Sequence, residues 1–214
     1  MQFKSFTSIT LDLPGFGKSD LPDPSWGVEE YAKVIVQLCD TLQIKKIVYF
    51  GHSFGGSLGI YLAAHKPTLI NKLILCSASF KRTARHPDRS EGISFLAKRF
   101  LDFANASLGM TTVSTKIKRF LYRIFFPSSD SMKYPAIESN FRKIISRDLM
   151  SCLSSIHAPT LILWGEQDKD TPISLAYELN EKITGSQLVT FPDITHGLPL
   201  KYPHEVYQKV IEFL

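Results

Sequence analysis

A chain of 214 residues, 44% hydrophobic and 21% charged, has the composition of a folded globular protein, which excludes a disordered, collagen-like or coiled-coil chain. No apolar run reaches the ~20 residues needed to span a bilayer, and the first six residues lack the apolar stretch of a secretory signal, so a cytoplasmic protein is expected. The net charge of +5 is uneven: residues 81–150 carry 14 Lys and Arg against 6 Asp and Glu, a balance of +8, whereas the remainder carries 11 against 14, a balance of −3.

That asymmetry marks 81–150 as a separate structural unit. Its basic residues suit the solvated faces of amphipathic helices. Attraction of an anionic substrate or of an acidic membrane surface is the sharper alternative. The three cysteines, Cys39, Cys76 and Cys152, are far apart and form no C-x-x-C pair, so reduced thiols are expected rather than a zinc site or a disulfide framework. No metal, cofactor or nucleic-acid partner is expected.

In chain order, residues 5–13 read as a strand that runs into a turn-rich loop, Pro14 to Asp20. Ser25 is the expected N-cap of a helix over about 27–42, with Glu29 and Glu30 in its first turn. Residues 45–50 form an apolar, β-branched and aromatic run that reads as a buried strand. Residues 57–65 read as a helix that ends before Pro67. A further apolar strand covers about 71–78. From 81 to 150 the periods are helical, over about 91–107, 114–126 and 136–150. Strands return at 158–165 and 187–192, each followed by a polar loop and then a helix opened by Pro172 or Pro203. Unalternating apolar strands separated by helices predict a parallel sheet covered on both faces.

Between the strand at 45–50 and the helix after it lies Gly51-His52-Ser53-Phe54-Gly55-Gly56. This is a G-x-S-x-G sequence in a strand–turn–helix setting, the pattern that lifts a serine Oγ out of a strained turn. A side chain at Gly51 or Gly55 is expected to crowd the neighbouring strand and helix. The start of the helix points free N–H groups at the position where negative charge develops during acyl transfer.

A serine needs a general base, and the base needs a partner that fixes its tautomer. In a parallel sheet these groups come from loops at the C-terminal ends of strands. His196 directly follows the strand at 187–191, with His204 as the fallback. His65, His86 and His157 read as surface or structural. His52 is expected to point away from the base. The loop after the strand at 158–165 offers Glu166, Asp168 and Asp170.

These motifs together resemble the α/β-hydrolase family. Asp12-x-Pro14-Gly15-x-Gly17-x-Ser19 is similar to its loop after the fourth strand, and Gly51 to Gly56 to its nucleophile elbow after the fifth. Trp164-Gly165-x-x-Asp168-x-x-x-Pro172 is similar to its acid loop, and Thr195-His196-Gly197 to its base loop. The resemblance implies Ser53 as nucleophile, Asp168 as acid and His196 as base, with the Phe54 N–H as an oxyanion donor. It implies a core formed by 1–80 and 151–214, with 81–150 inserted as a helical cap between the sixth and seventh family strands. The cap phenylalanines Phe95, Phe100, Phe103, Phe120, Phe125 and Phe126 suit cap packing or an acyl pocket.

Relative to that family, the sequence opens at the fourth strand, without the loop that supplies a second oxyanion N–H. An N-terminally truncated fold, a fragment of a longer product, is therefore expected, because residues 6–13 either re-pair directly with 46–50 or lack a neighbour. The expected activity is hydrolysis of a small carboxylic ester, thioester, amide or C–C bond without a cofactor, on a small-molecule acyl substrate. The alternatives are a truncated, non-catalytic homologue and an acyltransferase or perhydrolase.

Overall fold

The computed structural model describes residues 7–81 and 135–214. Their framework is a four-stranded, wholly parallel sheet in the order β1 (Ile47–His52), β2 (Ile70–Cys76), β3 (Thr160–Gly165) and β4 (Gln187–Phe191). Helix α1 (Val28–Thr41) precedes β1, and α2 (Phe54–His65) joins β1 to β2. After the undescribed stretch come α3 (Glu138–Ser146) and the short α4 (Met150–Leu153). Helix α5 (Ile173–Lys182) links β3 to β4, and α6 (Leu198–Lys201) and α7 (Pro203–Phe213) end the chain.

Strand composition explains the layering. Every residue of β3 is buried, as expected for a central parallel strand covered on both faces. Alternate residues of the inner strands enter two cores. Leu73, Leu75, Ile162 and Trp164 pack with α1, α2, α4 and α5. Ile74, Cys76, Leu161 and Leu163 pack with Ile194, Leu198 and Val206 of the C-terminal segment. The strand expected to be buried at 45–50 is instead an outer strand, covered on one face only among the described residues: Tyr49 packs in the first core, whereas Val48 and Phe50 are 39% and 42% exposed.

Two further sequence expectations are corrected. Among the described residues, 7–13 form no strand and β1 pairs with β2 alone, so direct pairing of 7–13 with 46–50 does not occur. Their apolar side chains do not compensate, with Ile9 and Leu11 both exposed. A strand needs a neighbour for its N–H and C=O groups, and the local pattern alone does not provide one. Nor does Ser25 cap α1. The N-cap is Gly27, whose N–H donates to the Glu30 carboxylate at 2.9 Å, while the Ser25 N–H turns back to Asp23 Oδ1 at 2.7 Å.

The expected helices at 91–107 and 114–126, His86 and the six cap phenylalanines lie outside the described residues. The flanks of this stretch are described and lie together, for the Leu149 N–H donates to the Phe80 carbonyl at 2.8 Å and both side chains are buried. Between them, α3 rests on the 14–27 loop. Ile137 is buried against Gly15, buried Asn140 donates to the carbonyls of Asp23 and Trp26 at 2.7 and 3.1 Å, and Arg147 pairs with Glu29 at 2.7 Å.

Candidate active site

Ser53 sits between β1 and α2 with φ +53° and ψ −113°, a left-handed backbone that costs a non-glycine residue on the order of 1–3 kcal/mol. The surrounding hydrogen bonds impose it. The Ser53 N–H donates to the Cys76 carbonyl at 3.0 Å, and the Ser53 carbonyl accepts from Gly56 and Ser79 at 3.0 and 3.1 Å. Ser57 Oγ donates to the Ser79 carbonyl, tying α2 to the chain just after β2.

The glycines divide the work differently from expectation. A Cβ on Gly51 would overlap the Gly55 carbonyl, as expected for the tight turn. A Cβ on Gly55 would meet nothing within 4 Å, so its assignment as a crowding-limited position is corrected. Gly56 is the position at which α2 closes on its neighbour, since a Cβ there would overlap the Ala78 side chain. Sequence spacing marks a run of small residues without saying which of them face the sheet.

Phe54 opens α2, so its N–H has no intrahelical acceptor. Its ring is held by Phe16, at 6.0 Å between centroids, and by the edge of Tyr31 at 5.2 Å. Tyr31 is fully buried and its hydroxyl donates to the Pro14 carbonyl at 3.1 Å. Burial pushes that phenol up to about 12, so it stays a donor at any physiological pH. The 14–20 loop thereby lies beside the elbow.

Asp168 lies in the loop after β3, a loop fixed by its own backbone. Trp164 Nε1 donates to the Thr171 carbonyl at 2.8 Å, and the N–H groups of Asp170 and Thr171 donate to Asp168 Oδ1 at 2.9 and 2.8 Å. Thr171 Oγ1 donates to Asp168 Oδ2 at 2.8 Å. Burial pushes the Asp168 carboxyl up, but the hydrogen bond and charge of His196, with the Thr171 donors, outweigh it and hold the group below the usual carboxylate range. Glu166 is turned toward β4, accepting from Thr190 Oγ1 at 2.8 Å.

His196 lies after β4 in a loop whose Asp193 has φ +58°. Its Nδ1 is 2.9 Å from Asp168 Oδ2 and 3.1 Å from Thr171 Oγ1. Its Nε2 is 3.0 Å from Ser53 Oγ. A carboxylate only accepts, so Nδ1 carries the proton and Nε2 presents a lone pair to the serine hydroxyl. The Asp168 side chain is fully buried and that of His196 is 17% exposed. The arrangement can take a proton from Ser53 Oγ and stabilise the resulting imidazolium beside a buried anion.

The structure thus brings Ser53, Asp168, His196 and the Phe54 N–H to one edge of the sheet. It does not bring His65, His157 or His204 there, and all three are exposed. His204 contacts Gln208 Nε2 at 3.0 Å. The expectation for His52 is corrected. Its Nε2 lies 2.8 Å from the His196 carbonyl, and the two rings are 4.9 Å apart. Strand parity carried the signal, since His52 lies two residues beyond Phe50 on the same face of β1. Thr171 was not singled out from the sequence; it directly follows Asp170, whose N–H two residues on closes the turn on Asp168. Cys76, next to the elbow in the sheet, is no competing nucleophile: burial first and the charge of Asp168 second push its thiol far up.

Among the described residues no group of His, Cys, Asp and Glu is arranged to hold a metal ion, and no helix is long and apolar enough to cross a membrane.

A sequence model of the alpha/beta hydrolase fold matches residues 2–201. The AB hydrolase superfamily protein YisY of Bacillus subtilis is 27% identical, covering 98% of this chain and 82% of that protein. The pimeloyl-(acyl-carrier protein) methyl ester esterase of Vibrio campbellii is 26% identical, covering 94% and 81% respectively. Among solved structures, the alpha/beta hydrolase MGS-M2 from a Medee basin deep-sea metagenome library superposes with a TM-score of 0.71 at 21% identity, covering 94% of this chain and 77% of that one.

Proposed function

The chain belongs to the α/β-hydrolase fold family, and from that membership we propose that it is a serine hydrolase of small carboxylic esters, with Ser53 as nucleophile, His196 as general base and Asp168 as the acid. The observation that carries this reading is the unbroken relay from Ser53 Oγ through His196 to Asp168, at 3.0 and 2.9 Å. The name of the Vibrio relative, a methyl ester esterase, supports an ester as the bond cleaved; thioesters, amides and activated C–C bonds are open to the same chemistry.

Ser53 Oγ attacks the acyl carbon while its proton passes to His196 Nε2. The carbonyl oxygen, now negative, accepts from the Phe54 N–H at the start of α2, where the helix dipole adds to the attraction. His196 then protonates the leaving alkoxide and the acyl group stays on Ser53. Water, deprotonated by His196, attacks that ester, and His196 returns the proton to Ser53 Oγ as the acid leaves. We further propose that residues 81–150 form the cap that selects the substrate, since Phe80 before it and Leu149 at its end are joined by a backbone hydrogen bond.

Hydrolysis of p-nitrophenyl acetate tests the reading. Ser53→Ala and His196→Ala are each expected to bring the enzymatic rate to background. A Ser53→Ala protein as active as the parent would overturn it.

A further inference from the structure

We propose that His52 is a positioning residue that anchors the main chain of His196, so that one imidazole meets Ser53 and Asp168 together. The inference rests on the serine-hydrolase reading for its consequence in catalysis, but not for the contact itself.

Strand parity delivers the contact. In β1, Tyr49 faces α2 and packs against Gly59, so Val48, Phe50 and His52 face the other way. Their register partners Lys72, Ile74 and Cys76 share that side, and it is there that Ile194 and Leu198, which bracket the base loop, enter the core with Ile74 and Cys76. The ring of His52 thereby reaches the loop at its middle, with Nε2 2.8 Å from the His196 carbonyl and the two rings tilted by 41°. A carbonyl only accepts, so the bond fixes the proton of His52 on Nε2.

The base loop is then tied to both of the strands whose groups it must serve. Toward the acid, the Gln167 N–H donates to the Ile194 carbonyl at 2.9 Å. Toward the nucleophile, His52, the residue immediately before Ser53, donates to His196 itself. Each tie sets one coordinate of the imidazole: its distance to Asp168, and its distance to Ser53. Proton transfer between heavy atoms is steep in that second distance, and a displacement of about 1 Å costs on the order of 10²-fold in rate. His52 acts through His196, whose carbonyl it holds.

Three variants separate this role from simple filling of space. Glutamine at 52 carries an amide N–H at about the reach of the imidazole Nε2, asparagine carries the same amide one methylene short, and leucine fills volume without a donor. With p-nitrophenyl acetate, His52→Leu and His52→Asn are expected to lower kcat by about 10- to 100-fold with KM unchanged, while His52→Gln recovers most of the loss. The low-field proton NMR signal of His196 Nδ1–H, read without substrate, is expected to persist in the parent and in His52→Gln and to broaden or vanish in His52→Asn. Equal kcat for the glutamine and asparagine variants, or an unchanged low-field signal in His52→Asn, would overturn the role, and this comparison stands even if leucine prevents folding. A parent protein that hydrolyses no ester yet shows the predicted NMR contrast would refute the hydrolase reading and leave the anchor intact.

Discussion

Asp168, the proposed acid, ties the proposed chemistry to stability. Its carboxylate accepts from His196, from the Thr171 hydroxyl and from two backbone N–H groups, more than repaying its burial. Asp168→Asn keeps the shape but removes the charge and reverses the preferred donor at His196 Nδ1, so kcat is expected to fall by about 10⁴-fold, the scale known for a triad acid, with the fold retained by circular dichroism. The same lowered pKa carries a sign for stability. The folded carboxyl holds its proton less tightly than the unfolded one, so the ionised form stabilises the fold above the unfolded value of about 3.9, and this contribution is lost as pH falls through the lower folded value. Urea midpoints of the parent and of Asp168→Asn, measured from pH 7 down to pH 3, are expected to converge toward the acid end. A gap that widens there would contradict the sign.

The elbow as an element depends on close approach of backbones, and its glycines make distinct predictions. Gly56 closes α2 onto Ala78 and Gly51 closes β1 onto the turn, in each case with no space for a methyl group. Alanine at either is expected to cost about 1–3 kcal/mol, the range for overpacking. Gly55 is helical with open space at its Cβ position, so Gly55→Ala is expected to stabilise by about 0.5–1 kcal/mol through helix propensity alone. Thermal denaturation of the three variants checks the ordering, and destabilisation by Gly55→Ala equal to that by Gly56→Ala would contradict it. The strand–turn–helix setting of Ser53 was legible in the sequence because apolar runs and small residues flank it. Which glycine packs was not, because that depends on the rotation of α2 against Ala78, a contact between parts of the chain more than twenty residues apart.

Across the whole molecule, the long connection between β2 and β3 returns by way of α3, which secures the 14–27 loop from outside. Asn140 is the key contact, a buried amide donating to two loop carbonyls. Asn140→Ala leaves both carbonyls short of a partner, and a loss of about 1–3 kcal/mol in unfolding free energy is expected. Asparagine replaced without measurable loss would show that the loop is held elsewhere. The sheet, its parallel sense and the order serine, aspartate, histidine were readable from Ile47 to His196, since unalternating apolar strands each end in a polar loop. Residues 7–13 misled for the complementary reason. Their composition suits a strand, but pairing is decided by a neighbour that local sequence does not contain. His52 does not point away from the base as expected, because its contact follows from the face of β1 it shares with Val48 and Phe50.

Activation of Ser53 by His196 for attack on an acyl-like centre can be read with a fluorophosphonate probe followed by peptide mass spectrometry. A single adduct on Ser53 is expected, abolished by Ser53→Ala and strongly slowed by His196→Ala. A parent protein left unlabelled, or one labelled at another residue with Ser53 intact, would contradict it.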